Sequence, residues 1–280
     1  MKLSPFTPLY FAEPNLSDGL ASRYTQVFAP TDHIMIQIIA GGSETAPTAT
    51  LYDACTNEAL GTIEWNVWTM NTNKKIFFHV YCGLTDGFYK LTIADKTSEV
   101  FRVTSDTGVL SKTTLIQYRF KDNTERLDMV SVIDLMPYFF DFRVPGGFKD
   151  SGWEFGVENE QFTTQYQDLV ELYAREYISK TFTMGNSIGV PVWYGEMLNR
   201  LLTCSYVYFN GDRYVRDSSS TPSLETLIEG LDSFVFTQQL RKAQLLDPKI
   251  EELNQIAIRR VDDDYDRITD TENKNILILS

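Results

Sequence analysis

Tyr206-Val207-Tyr208-Phe209-Asn210-Gly211-Asp212-Arg213-Tyr214-Val215-Arg216 is the stretch that sets the architecture. Two runs rich in aromatic and β-branched residues flank an Asn-Gly pair. Asn-Gly supplies the two positive φ values that a type I′ turn needs, so the stretch reads as a tight β-hairpin. That register sets Phe209 opposite Asp212 and Val207 opposite Tyr214. Just upstream, Pro191 fits a first helical position, and Tyr194, Met197, Leu198, Leu201 and Leu202 form an i, i+3, i+4, i+7, i+8 stripe. The spacing predicts one helix near 191–203 whose apolar stripe packs on a sheet. Further upstream, Asp168 to Met184 contains neither Pro nor Gly, and Leu172, Ala174, Ile178, Phe182 and Met184 stand two or four apart. Even 12 residues of strand would span ~40 Å at ~3.3 Å each, well past the ordinary length. Strands of that length belong to sheets that curve or that continue into a neighbouring subunit.

Working outward, Thr113 to Phe120, Tyr138 to Val144 and Ser233 to Leu245 read as further strands, with a polar loop from Asp217 to Pro222. Pro145 to Gln165 reads as a long irregular loop, Gly-rich and carrying Phe148, Trp153, Phe155 and Phe162. Such a loop is usually functional or ordered by a neighbour. The first hundred residues are a chain of strand signals: His33 to Ile39 closed by Gly41-Gly42, Ala49 to Tyr52, Ala59 to Met70, Lys75 to Cys82, Asp86 to Ile93, and Ser98 to Val103. Strands this closely spaced, with no helical period between them, point to a sandwich. Thr104 to Gly108 is small, polar and aperiodic, which makes it the best boundary. The fold expectation is mainly β. An N-terminal β-sandwich over 1–105 precedes a second β-sandwich over 106–260, flanked by one helix. The remainder, 261–280, is an acidic C-terminal arm ending in Ile276-Leu277-Ile278-Leu279.

Composition agrees. The 280 residues include 18 Phe, 15 Tyr and 4 Trp, which favour pleated surfaces and interfaces. Net charge is −13, from 25 basic and 38 acidic side chains, so a basic groove for nucleic acid is not expected. An acidic surface still allows DNA to slide past without sticking. No stretch approaches the roughly 18 apolar residues of a membrane span, and Met1-Lys2-Leu3-Ser4-Pro5 does not read as a secretory signal. Cys55, Cys82 and Cys204 are odd in number and far apart, which suits small buried thiols better than a disulfide frame.

The sharpest enzymatic motif is Gly185-Asn186-Ser187-Ile188-Gly189, a G-x-S-x-G between a predicted strand and a predicted helix. A nucleophile elbow there needs a histidine downstream of its serine. The two histidines, His33 and His79, both precede Ser187, and a serine hydroxyl without a base is a poor nucleophile. The plainer reading is a Gly-bounded turn in which Asn186 or Ser187 caps the helix region. His33 and His79 lie in strand-like runs and read as structural, and no Cys/His spacing suits zinc. Asp262-Asp263-Asp264-Tyr265-Asp266 begins like a calcium loop, but Arg267 stands where Gly is needed and Asn273 where Glu is needed. No phosphate-cradling glycine motif occurs. Acidic residues abound, yet nothing marks out a glycosidase pair. No catalytic, cofactor-binding or metal-binding residue is therefore assigned.

The block from Tyr177 to Ser220 resembles tail proteins encoded by phages and prophages of Bacteroides-type bacteria. The residues that carry this are Ile178 to Gly185, Gly189-Val190-Pro191-Val192-Trp193, Leu198 to Leu202, and Val207 to Arg216, with Phe142 to Phe148 upstream. The order of long strand, helix, hairpin and strand also looks like the tail-tube and distal-tail fold, a β-sandwich flanked by one helix that assembles into rings. The resemblance covers a third to half of the chain and implies a non-enzymatic virion structural protein. The expected partners are further copies of itself in a ring, other tail, baseplate or neck proteins, and DNA passing through a lumen. Two alternatives stay open: a glycan-binding sandwich that attaches to a host surface through exposed aromatics, and a serine hydrolase built around Ser187.

Overall fold

A computed structural model describes residues 1–12, 24–133, 136–185, 189–217, 223–226 and 233–243. The fold is mainly β, with two helices among the described residues. The expected acidic arm 261–280 and its calcium-like run, and Ser187 itself, lie outside the described residues.

The N-terminal half is a sandwich of two sheets built from β1 (Lys2–Leu3), β2 (Phe11–Ala12), β3 (Gln26–Phe28), β4 (Ile34–Gly41), β5 (Ala49–Asp53), β6 (Ala59–Thr62), β7 (Asn66–Asn71), β8 (Lys74–Tyr81), β9 (Gly87–Ile93), β10 (Lys96–Ser98) and β11 (Phe101–Val103). One sheet runs β1-β4-β8-β7. The other runs β2-β10-β9-β11-β3, with β5 joining β9 and β6 joining β5. Between them Ile34, Ile36, Ile38 and Phe77 meet Leu51, Leu91, Ile93 and Phe101 in one apolar layer. The expected strand from Ala59 to Met70 is two strands: the chain turns at Ile63–Trp65, where the Trp65 indole donates to the Pro47 carbonyl at 2.7 Å. The expected Ser98–Val103 strand is likewise two short ones.

The second half comprises α1 (Thr107–Leu110), β12 (Thr113–Arg119), β13 (Val132–Ile133), β14 (Met136–Pro137), β15 (Phe140–Thr163), β16 (Leu169–Met184), α2 (Val192–Leu201), β17 (Tyr206–Phe209), β18 (Asp212–Arg216), β19 (Ser223–Thr226) and β20 (Phe234–Lys242). Its ladder closes on itself in the order β15-β12-β17-β18-β20-β16, because β16 pairs β15 on one side and β20 on the other. All the pairings are antiparallel, and β19 adds to β20 alongside β18. Closure removes most of the unpaired edge that an open sheet would expose. Inside lie Ile116, Tyr118, Phe140, Phe142, Val144, Phe182, Met184, Phe209, Tyr214, Phe236 and Leu240, joined by Tyr194, Met197, Leu198 and Leu201 of α2. Burying one such side chain contributes about 1.5–3 kcal/mol, so this cluster is the main thermodynamic reason for the barrel.

The hairpin that opened the reading forms as its residues require. Asn210 has φ 50° and Gly211 φ 87°, and Phe209 faces Asp212. The ladder continues to Tyr208–Arg213, and from Tyr214 onward β18 pairs with β20. Asn210 ties the turn to β12: its Oδ1 accepts from the Leu115 amide and its own amide donates to the Leu115 carbonyl, both at 2.9 Å. Helix α2 follows the predicted stripe. Pro191, however, is the N-cap (φ −66°, ψ 159°) and not the first helical residue, because its extended ψ keeps it outside the helix.

The largest correction concerns Pro145 to Gln165. It is no loop: it forms most of the 24-residue strand β15, paired with β16 from Gly146↔Met184 out to Thr163↔Leu169. Four glycines between 146 and 156 dilute the local strand signal, and the pairing comes from a partner strand whose own length was legible. Where the ladder shifts, residues 149–152 bulge against Thr181 alone.

Residues 104–106 connect β11 to α1, and the two halves interlock across this connection. Strand β4 is buried on both faces: Ile34, Ile36 and Ile38 face the sandwich core while Met35 reaches the barrel cluster, as does Phe6. Arg143 grips Asp32 in a two-pronged ion pair at 2.7 Å each. The Gln37 amide exchanges hydrogen bonds with both backbone groups of Val130.

Candidate interaction site: the outer half of the long hairpin

The two longest strands share one fate near the barrel and another beyond it. Pairing with β20 ends at Ser179↔Arg241, whereas the β15–β16 ribbon runs on to Leu169. Residues 169–178 at ~3.3 Å each carry it about 30 Å further. The tip is a turn in which the Thr164 amide donates to the Asp168 carbonyl at 2.8 Å and Gln167 takes φ 65°. At this tip Tyr166 is 88% exposed.

Register assigns the faces. Trp153, Phe155 and Val157 sit opposite Lys180, Ile178 and Glu176, with Asn159 opposite Ala174. Side chains alternate along a strand, so these lie on the face that also carries Phe182 and Met184. In the barrel that face is core: Phe182 and Met184 are fully buried. On the ribbon it meets water, with Trp153 44%, Phe155 75% and Val157 59% exposed. Towards the tip exposed Leu169, opposite Thr163, stays on this face, Leu172 falls at a register shift, and exposed Tyr173, Val170 and Phe162 lie on the other face. At about 200 Å² per whole aromatic ring the stripe amounts to on the order of 400 Å², the size of the largest apolar patch on an ordinary monomer, which is often functional. The opposite face is polar and acidic: Glu154, Glu158 and Glu160 stand opposite Ser179, Arg175 and Tyr173.

The root of the ribbon is braced on both faces. On the apolar side the Lys180 ammonium lies 3.7 Å from the Trp153 ring centre, and Trp153 stacks on Phe155 at 6.0 Å. Burial, with Lys242 nearby, pulls the Lys180 ammonium below its usual pKa. On the polar side the Tyr177 ring crosses the strand over Gly156, where an added Cβ would lie 2.3 Å from the ring. The Arg241 guanidinium covers Tyr177 at 4.1 Å and pairs with Glu158 at 2.8 Å. The ribbon thus combines a fixed root with an apolar face that the described residues leave exposed.

The other candidates are scattered. His33 donates its backbone N–H to Asp141 at 2.8 Å and holds its ring nitrogen 3.7 Å from the same carboxylate. Burial raises the Asp141 pKa, opposed by that N–H and by Gln117. His79 contacts the Glu64 carbonyl at 3.0 Å and packs edge-on against Tyr81. His33 thus lies just before β4 and His79 within β8, in different environments. The expectation of buried thiols fails for two of three: Cys55 and Cys82 are exposed, both placed at strand ends, while Cys204 is half-buried and burial raises its pKa. Among the described residues, no group of three or more His, Cys, Asp or Glu could hold a metal ion, and no helix is long and apolar enough to cross a membrane. On the described N-terminal sandwich, Phe88 is the one exposed aromatic side chain, so the exposed rings concentrate on the ribbon.

Reading Pro145–Gln165 as a loop hid half of this site. The signal was present: Trp153-Glu154-Phe155-Gly156-Val157-Glu158 alternates apolar and polar positions with period two. Neither family models, nor curated proteins, nor solved structures give a match to this chain.

Proposed function

We propose that this protein is a non-enzymatic structural subunit of a phage virion, forming a ring in the tail, tail tip, baseplate or neck. The observation that carries the assembly reading is the ribbon: a core-type apolar face continued about 30 Å past its own barrel with its root held rigid. Beyond the barrel, among the described residues, both strands of the ribbon have left their outer partners behind, β12 on one side and β20 on the other. Two unlike open edges suit head-to-tail addition, in which β15 of one copy lies beside β16 of the next, and such a contact closes into a ring when the rotation allows. The apolar faces then turn towards the neighbouring barrels, and the acidic face, with Glu154, Glu158 and Glu160, is left to line a lumen. An acidic lining suits DNA that passes without being held. The assignment to a phage rests on the resemblance of the 177–220 block.

Electron microscopy of the concentrated protein tests the reading. Closed rings of uniform diameter are expected, and a field of isolated particles with no ring or stack at any concentration contradicts it.

A further inference from the structure

One flank of the N-terminal sandwich is left open by its own strands. Strand β7 begins at Asn66, opposite Phe78, so His79–Tyr81 of β8 run on without a β7 neighbour. In the facing sheet β6 is an edge strand, paired among the described residues with β5 alone. Between the two lies a cleft of about 380 Å³, within the range of small-ligand sites. Its floor is the sandwich core at Leu51, Ile63 and Tyr89. Leu60 and Thr62 line it from β6, and His79, Tyr81 and Leu84 from the opposite side. Leu60 is the extra residue of a bulge, where the β5–β6 ladder slips between Leu51↔Gly61 and Tyr52↔Ala59, and it is exposed. Bulges re-aim side chains in this way.

The lining restricts what can bind. It includes no Asp, Glu, Lys or Arg, in a chain with 25 basic and 38 acidic residues, so an ionic ligand meets no counter-charge. Nor is it purely apolar. The His79 Nδ1 lies 3.0 Å from the Glu64 carbonyl, which can only accept. Nδ1 therefore carries the proton of the neutral ring, and Nε2 is left as an acceptor. Burial pushes the Tyr81 pKa up to about 12, which keeps its hydroxyl a donor at neutral pH. The Tyr89 hydroxyl, by contrast, already donates to the Thr85 carbonyl at 2.8 Å. A wholly apolar ligand would leave the Tyr81, Thr62 and His79 groups without partners. A ring with C–H faces and several uncharged hydroxyls satisfies both kinds of neighbour.

We propose that this cleft binds a neutral sugar ring, with the Tyr81 hydroxyl and His79 Nε2 holding its hydroxyls and Leu60 and Leu84 covering a C–H face. The site does not depend on the ring-forming reading and stands or falls separately from it.

Titrations of the full chain followed by backbone amide shifts test it. The probes are glucose, galactose, mannose and N-acetylglucosamine, each as the free sugar and as a β-1,4-linked trisaccharide. Saturable shifts confined to residues 60–63 and 79–85 are expected with at least one of them. Tighter binding of the trisaccharide identifies a glycan chain as the source, and equal binding a free sugar. A Cβ added at Gly61 meets nothing within 4 Å, so Gly61→Leu fills the cleft with an unchanged urea midpoint. It weakens binding about tenfold, and Tyr81→Phe, which removes one hydrogen bond, about fivefold. If Gly61→Leu shifts the urea midpoint, Tyr81→Phe decides. The proposal is overturned if no probe gives a saturable shift at about 20 mM, if the shifts centre elsewhere, or if glucuronate or indole binds as tightly as the best neutral sugar. Parent-like sugar binding by a folded Gly61→Leu or by Tyr81→Phe overturns it as well.

Discussion

The inner and outer halves of the β15–β16 hairpin are the same two strands, offset in register only by the bulge at 149–152, and they live in opposite environments. In the inner half Phe148 faces Phe182 and stacks on Tyr214 at 4.6 Å, inside a closed barrel. In the outer half Phe155 faces Ile178 and, among the described residues, stays largely exposed beside Trp153. The alternation of side chains is indifferent to where the barrel ends. The pattern of core side chains thus runs on past the chain's own core.

Removing the outer half is the most severe way to break this comparison. Replacing residues 157–176 with Asn-Gly joins the paired positions Gly156 and Tyr177 through a tight turn. Assembly is abolished, while urea denaturation of the shortened monomer stays within about 1 kcal/mol of the parent, because the excised residues contact no core. Next in size, Phe182→Ala lowers monomer stability by about 3–5 kcal/mol, the cost of a fully buried ring plus its cavity. Phe155→Ala on the same face changes it by less than about 0.5 kcal/mol, yet weakens assembly. Equal stability losses in the two variants would erase the distinction.

A finer contrast lies in the turns. Gly211 closes the barrel hairpin at φ 87°, and Gly211→Ala costs roughly 1–2 kcal/mol by thermal or urea unfolding. At the ribbon tip Gln167 already tolerates φ 65°, and Gln167→Gly shifts stability by under about 0.5 kcal/mol.

The smallest effect concerns pH at the seam between the two halves. Burial raises the Asp141 pKa, with Asp32 adding repulsion, while the His33 amide and Gln117 counter it. A carboxyl whose folded pKa lies above its unfolded value favours folding more when protonated. Its contribution therefore becomes more favourable as pH falls through the folded pKa towards the unfolded value near ~3.9. Exposed carboxylates with lowered pKa, such as Asp53, Asp86 and Asp122, act in the opposite sense. The difference in stability between the parent and Asp141→Asn isolates the buried group: it moves in favour of the parent as the solution is acidified. A difference independent of pH contradicts the sign.

The parts of the fold legible in the sequence were those set by local chemistry. Asn210-Gly211 dictates its own turn, the stripe from Tyr194 to Leu201 dictates a helix, and sixteen unbroken residues from Leu169 to Met184 dictate a long strand. What escaped depends on partners distant in sequence. The strand character of residues 145–163 is masked by Pro145 and four glycines, and appears once β16 lies beside it. The double burial of β4 could not be read from Ile34 to Ile39, since a β-branched run looks the same whether one face or two are covered. Barrel closure rests on six pairs between Ser179–Met184 and Phe236–Arg241, about sixty residues apart, for which the sequence carries no mark. Of the candidate site, β16 and the aromatics at 153 and 155 were visible separately, but the face they share with Phe182 and Met184 was not.

The central claim is that the apolar face of the ribbon is covered by another copy. Its most direct test is the alkylation rate of Phe155→Cys, made in a Cys55→Ser, Cys82→Ser background and measured across protein concentration. The account predicts rapid labelling in dilute monomer and strong protection once the protein assembles, with Tyr214 and the barrel unaffected. A thiol at position 155 that reacts equally fast at every concentration, in particles shown to be assembled, contradicts it.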